Sequence, residues 1–357
     1  MNAEARVAVT GIGMTTPVGL TAAQSCAAIR AGIAAITELD HAVEIEYERT
    51  AVMGCPIGVV TNGYLGLGRW SRLATAALRD LVSTARLSPS DLGASTLYLA
   101  LPPNGRSGVD GRIAQLLGIR ISEWLRAPGL AARTYVFPHG HAAAAGAFAM
   151  ALQHLRGGLV ERAIVCGIDS LIEPDTLDYL ISQRRLKIGD QVDGFIPGEA
   201  AACLLLERAS AARTRGATLL AGVDAAGTAM ESATIMSDGP STAAGLTQAV
   251  RSALEQPPDR GSNMALILSD LNGESYRAKE FGTTAVRALA KALGDWTLWH
   301  PADCIGDTGA AAFTVSTCVA VRALAKGYAK SPRALVLGSS DDGLRGAVSL
   351  SRVSAEI

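Results

Sequence analysis

Two stretches of this 357-residue chain repeat one another about half a chain apart. Residues 139–170 read HGHAAAAGAFAMALQHLRGGLVERAIVCGIDS, and residues 305–341 read IGDTGAAAFTVSTCVAVRALAKGYAKSPRALVLGSSD. Each opens with a Gly and one polar residue, Gly140-His141 and Gly306-Asp307. Each continues through an alanine-rich helix pattern and a polar turn into a buried strand ending in Gly, Ala163 to Gly167 and Ala334 to Gly338. A recurring supersecondary unit of this kind constrains the chain to a duplicated fold with a site between the halves. The halves are expected at 1–215 and 216–357. No linker-like or low-complexity segment separates them, so they should pack as one unit.

The rest of the chain alternates apolar strands with amphipathic helices. Val7 to Thr10, Leu97 to Leu101, Thr134 to Phe137, Ala200 to Glu207, Thr218 to Ala225, Met264 to Leu268, residues 296–299 and residues 345–350 read as strands, and residues 50–53 and 57–61 as shorter ones. Helices are expected at 21–31, 69–84, 142–156, 174–183, 243–255, 277–292 and 309–325, with two short helical pieces at 112–117 and 121–125. Continuous apolar strands between helices imply sheets covered on both faces. Gly11 and Gly13 follow the first strand, but position 16 is Thr, so the glycine pattern of a dinucleotide loop is incomplete.

Hydrophobic residues make up 49% of the chain, charged residues 18%, and the net charge is −1. This describes a well-buried globular protein without the basic excess that draws in nucleic acid. Its most apolar run, Ala142 to Leu152, is too short to span a bilayer, and the N-terminal MNAEARVAVTGIG enters a strand directly rather than forming a signal peptide. Cys26, Cys55, Cys166, Cys203, Cys304 and Cys318 are scattered without metal-ligand spacing and read as small buried hydrophobes of a reducing cytoplasm. No cofactor or metal is implied.

Four segments carry a family resemblance: VAVTGIGMTTPVG (7–19), VDGFIPGEAAACLLLERASAARTRGATLLAGV (192–223), GHAAAAGAFAMALQHLRGGLVERAIVCGIDS (140–170) and IGDTGAAAFTVSTCVAVRALAKG (305–327). Together they resemble a β-ketoacyl synthase of the thiolase superfamily. The resemblance implies the thiolase-like duplicated five-layered α/β/α/β/α fold and a homodimer or heterodimer with a related synthase. It also implies a Cys at a helix N-terminus, two His residues that assist decarboxylation, and backbone amides forming an oxyanion hole. Here the position of the Cys falls on His141, and those of the two His residues fall on Asn272 and Asp307. The Gly-Phe-Gly-Gly-Thr-Asn loop of the family is replaced by GSSDDGLRG at 338–346, and the segments around 33–66 and 85–134 are shorter.

The loss of all three reacting groups implies a synthase-like pseudoenzyme acting as a binding partner, such as a chain-length-factor-like subunit or accessory protein, with an acyl carrier protein as a possible partner. The alternative is a divergent acyl-thioester enzyme using His141 with Asn272 and Asp307. A helix N-terminus disfavours an imidazolium, so His141 would be a neutral base, while Asp307 would be ionised and cap its helix. Lesser candidates have blander readings: His139 as a metal ligand lacks a third donor, Cys304 suits packing, and Asp341-Asp342 suits a solvated turn. The basic residues Arg208, Arg213 and Arg215 suit a solvated face.

Overall fold

A computed structural model of the chain describes residues 6–45, 47–237, 239–254, 266–290 and 296–353. Twelve strands are described: β1 (Val7–Thr15), β2 (Thr37–Ile45), β3 (Glu48–Gly54), β4 (Thr96–Leu101), β5 (Thr134–Pro138), β6 (Arg162–Ser170), β7 (Glu199–Arg208), β8 (Ala221–Met230), β9 (Leu266–Leu268), β10 (Thr297–Trp299), β11 (Arg333–Ser339) and β12 (Leu344–Ser351). Ten form a continuous sheet in the order β10-β9-β11-β12-β8-β1-β7-β6-β4-β5, and β2 pairs with β3 in a separate hairpin. If the strands on each side of the β1–β8 seam are counted in chain order, both sides read 3-2-4-5-1. The duplication seen in two helix–strand units therefore extends to complete five-stranded sets. The seam itself is short and antiparallel, pairing Val7 with Val223, Ala8 with Gly222 and Val9 with Ala221.

Strand periodicity explains the layering. On β7, Leu204 and Leu206 face one core, while Cys203 and Leu205 face another. The first core holds two central helices, Ala143–Arg156 and Ala312–Ala325, together with strand residues from both sides of the seam, such as Val165 and Val336. Phe148 and Phe313, one from each helix, meet with ring centroids 6.3 Å apart. The opposite face of the first five strands packs under the Gly66–Ala85 and Ile113–Leu125 helices. That of the second five packs under Ala244–Leu254 and Ser275–Thr284. Helix, sheet, central helices, sheet and helix make five layers.

Several local expectations need correction. Residues 57–61 hold the short Gly58–Thr61 helix rather than a strand, and the β2–β3 hairpin occupies 37–54, where only 50–53 read as extended. The two helical pieces at 112–125 are one helix, Ile113–Leu125. A short helix, Ala209–Thr214, not anticipated from the sequence, follows β7. Met264 and Ala265, position 255 and residues 291–292 of the expected elements lie outside the described residues. Cys166 and Cys203 are register partners on β6 and β7 and form a disulfide, where six free thiols were expected. Strand pairing places these two side chains opposite one another, a proximity invisible at a sequence separation of 37.

Gly11 and Gly13 lie within β1, not in a phosphate loop. A Cβ at Gly13 would come within 2.2 Å of the Ala77 carbonyl oxygen and 2.4 Å of the Leu81 nitrogen. The glycines thus permit close approach of the Gly66–Ala85 helix to the sheet.

Candidate functional site

The two central helices are entered in the same way. A 3₁₀ turn, Gly140–Ala142, precedes the first, and a 3₁₀ turn, Gly309–Ala311, precedes the second. Gly140 (φ +72°) and Gly309 (φ +51°) both occupy the left-handed region that favours glycine. The structural counterpart of Gly140 is therefore Gly309, three positions beyond the Gly306 aligned with it from sequence. Asp307 lies just outside the second turn and is held by backbone pairing to the IPG segment: its N–H donates to the Ile196 carbonyl at 2.7 Å, and its carbonyl accepts from Gly198 N–H at 2.7 Å.

This offset brings His141, Asn272 and Asp307 together. His141 Nε2 lies 2.7 Å from Asp307 Oδ1, and Asn272 Nδ2 donates to Asp307 Oδ2 at 2.6 Å. Asp307 Oδ1 also accepts the Gly309 N–H at 2.8 Å and so caps the second helix entrance. Asn272 Oδ1 accepts the Glu274 N–H at 3.0 Å, which orients its amide. His141 and Asp307 are buried, with side chains 9% and 2% exposed.

Around these three lies a charged network that sequence reasoning missed. Arg185 grips Glu274 with Nε (2.7 Å) and Nη2 (2.9 Å), and donates Nη1 to Asp341 Oδ2 at 2.6 Å. Arg277 donates to Asp270 Oδ2 at 2.7 Å, to Asp341 Oδ1 at 3.2 Å and to Glu274 Oε2 at 3.3 Å. Glu274 and Arg277 stand three residues apart at the start of one helix, a spacing legible in sequence, but nothing there showed that the pair is buried. Asp341, expected in a solvated turn, instead joins this network.

Charge balance sets the protonation of His141. Burial lowers its pKa and the nearby Arg277 guanidinium opposes a second proton, yet Asp307, with help from Asp341, raises it above the ordinary imidazole value. Arg277 Nη2 is 3.4 Å from His141 Nδ1, a much longer contact than the 2.7 Å pairing to Asp307. Asp307 thus outweighs both burial and Arg277, so the shift runs opposite to the one expected from a helix entrance alone. Burial raises the Asp307 pKa, but His141, Arg277 and the Asn272 hydrogen bond hold it well below the usual carboxylate range. Asp341 is likewise held at about 2, against burial, by Arg185 and Arg277.

Three backbone amides bordering this site are occupied internally. Ala142 N–H donates to Ser340 Oγ at 2.8 Å, Ser339 N–H to Asp270 Oδ2 at 2.7 Å, and Ala310 N–H to Asp169 Oδ2 at 2.8 Å. Asp169 is in turn gripped by Arg106 at 2.8 and 2.6 Å. A cavity of about 550 Å³ nevertheless reaches His141, walled by the Pro103–Ser107 turn, Leu171, Tyr179, Leu180 and Phe195. A second cavity of about 520 Å³ adjoins Glu274 and Tyr276. Arg185 and Met236 line both, forming part of the wall between them.

The remaining candidates lie elsewhere. His139 Nδ1 is 2.9 Å from Asp342 Oδ2 at a partly exposed position, and no metal-ligand cluster occurs among the described residues. Cys304 is buried, and burial pushes its thiol pKa up. Arg215 is engaged bidentately by Glu207 at 2.8 and 2.6 Å and Arg208 Nε is buried, while Arg213 is exposed, so the basic cluster is a solvated face only in part. No helix among the described residues is long and apolar enough to cross a membrane.

The duplicated five-layered architecture, with a polar site at paired central-helix entrances, defines a thiolase-like fold. Residues 98–212 match the sequence profile of the β-ketoacyl synthase N-terminal domain. The ishigamide ketosynthase/chain length factor superposes with a TM-score of 0.78 at 18% identity, covering 98% of this chain and 99% of that one. A type II polyketide ketosynthase, solved with its acyl-carrier protein and bound to the hexaketide, gives 0.78 at 15% identity, covering 98% and 99%. The oxazolomycin ketosynthase domain of Streptomyces albus JA3453 gives 0.78 at 15%, covering 99% of this chain and 75% of that one. At these identities the likeness is one of fold. No curated protein sequence matches the chain.

Proposed function

We propose that this protein is a synthase-like pseudoenzyme that acts by binding, as a chain-length-factor-like subunit or accessory protein. The observation that carries this reading is the pairing of Asp307 with both His141 and Asn272. In the family, these three positions hold a sulfur nucleophile and two imidazoles. Here they hold an ion pair and an amide bonded to each other, leaving no nucleophile among them to attack a thioester. The internally bonded amides of Ala142 and Ser339 remove donors that could stabilise an oxyanion.

The protein is read as cytoplasmic, with halves 1–215 and 216–357 acting as one unit. It is further read as a homodimer or as the partner of a related synthase, with an acyl carrier protein as a possible third component. Strand β5 supports the pairing: it ends the ten-stranded sheet, pairs only with β4 among the described residues, and leads directly into the Gly140–Ala142 turn. A free edge of this kind is a template for another chain.

The cavity at His141 favours a second reading, a divergent acyl-thioester enzyme using His141. Purified protein offered a malonyl-carrier or an acyl thioester separates the two. The binding reading expects release of CO₂ and free thiol at the buffer rate. Turnover above that rate, abolished by His141→Ala, establishes the enzyme instead.

A further inference from the structure

The outer surface of the first half carries a groove remote in character from the charged site. It runs between the Gly66–Ala85 and Ile113–Leu125 helices and encloses about 280 Å³. Gly68 and Ser71 keep its floor low, while Tyr64 and Trp124 form its walls. Both aromatic residues are partly open to solvent, at 43% and 48% exposure. Exposed rings beside a concavity are characteristic of the anchoring points of protein interfaces.

Arginines supply the remaining chemistry. Arg72 lies 4.4 Å over the Tyr64 ring, and its Nε donates to the Val60 carbonyl, which fixes the guanidinium at the groove. Arg79 lies 5.8 Å over the Trp124 ring. Arg120 lines the groove and makes a 3.4 Å contact with Glu123, both side chains being more than half exposed. Among the described residues no carboxylate belongs to the groove lining, although the chain as a whole carries a net charge of −1. Ring stacking orients the Arg72 and Arg79 forks without neutralising them, so their outer N–H groups can take a carboxylate bidentately.

We propose that this groove docks an acidic segment of a partner protein, with one bulky apolar side chain seated between Tyr64 and Trp124 and flanking carboxylates held by Arg72, Arg79 and Arg120. The apolar slot favours a protein segment over a bare polyanion, and the aromatic–arginine pairing supplies both affinity and charge selection. This inference does not depend on the activity of the His141 site.

The full-length protein is tested by fluorescence anisotropy against a labelled peptide of alternating Leu and Glu residues. The comparison probes are a Leu–Lys peptide, a Glu–Ser peptide, a single-stranded oligonucleotide and phosphatidylserine vesicles. The Leu–Glu peptide is expected to bind at least about tenfold tighter than either comparison peptide and to weaken as salt rises. The exposed substitutions Arg79→Glu and Arg120→Glu should each weaken it about tenfold, and Trp124→Ala should do the same, with thermal melting confirming that the fold is kept. Equal binding of the two charged peptides, indifference to all three substitutions, or tighter arginine-dependent binding of the oligonucleotide or vesicles would overturn the proposal.

Discussion

His141 Nε2 and Asp307 Oδ1 lie 2.7 Å apart, joining residues 166 positions distant across the two central-helix entrances. The pair is buried and has further partners on both sides.

Removing one member should therefore be severe. Asp307→Ala leaves the buried His141 and the Asn272 amide without their shared carboxylate and is expected to cost about 3–5 kcal/mol. Asp307→Asn keeps the shape and should cost less. Urea unfolding at neutral pH measures both, and a loss below about 1 kcal/mol for the alanine variant would contradict this role for the pair.

The pair also sets a pH window. The raised pKa of His141 makes its contribution complete below the ordinary imidazole value of ~6.5 and lost as pH rises through the folded-state value. The depressed pKa of Asp307 makes its contribution complete above the ordinary ~3.9 and lost as pH falls through a much lower folded-state value. The contribution should thus be greatest between about pH 4 and 6.5 and decline on the alkaline side. In His141→Gln, thermal melts across pH 6–9 should lose that alkaline decline relative to the unaltered protein.

Asp224 works in the opposite sense. Burial pushes its pKa up to about 6, Oδ1 accepts from Ser351 at 2.8 Å, and Oδ2 has no hydrogen-bond partner among the described residues. An acid with a raised pKa destabilises the fold as pH rises above its unfolded value, and the penalty is complete once pH passes the folded value. Asp224→Asn should therefore raise the melting temperature at pH 8 and change it little at pH 4. Equal shifts at both pH values would count against this account.

Restoring the sulfur alone should not restore chemistry. His141→Cys puts a thiol at the helix entrance, but Asn272 and Asp307 supply no imidazole, and the Ser339 N–H remains on Asp270. The variant is expected to decarboxylate malonyl thioesters at the buffer rate, monitored by CO₂ release. Measurable condensation would show that the surrounding groups still serve catalysis.

Glycine positions give a packing test. Gly13→Ala would drive a methyl against backbone atoms of the Gly66–Ala85 helix and should cost about 3 kcal/mol or more. Gly32 has φ +71° with nothing within 4 Å of an added Cβ, so Gly32→Ala should cost only the ~1–2 kcal/mol of a left-handed alanine. Comparable losses in the two variants would argue against close helix–sheet contact at Gly13.

The layered fold was legible because duplication and strand periodicity are properties of local sequence. Residues 200–206 are apolar without interruption, and since successive strand side chains point to opposite faces, that run implies a strand covered on both. His141, Asn272 and Asp307 could be singled out because motif resemblance marks positions. Their bonding could not, since it depends on a three-residue offset between the helix entrances. Arg185, Glu274 and Arg277 were missed because charged residues are ordinarily solvated, and only tertiary packing reveals that these are enclosed. The Cys166–Cys203 contact likewise follows from strand register rather than spacing.

The mutual bonding of His141, Asn272 and Asp307 makes the three positions interdependent. A thiol at 141 beside an unaltered Asp307 strands a carboxylate, and an imidazole at 307 beside an unaltered His141 sets two bases face to face. Each single exchange thus passes through a less stable form, so the trio tolerates replacement only as a block.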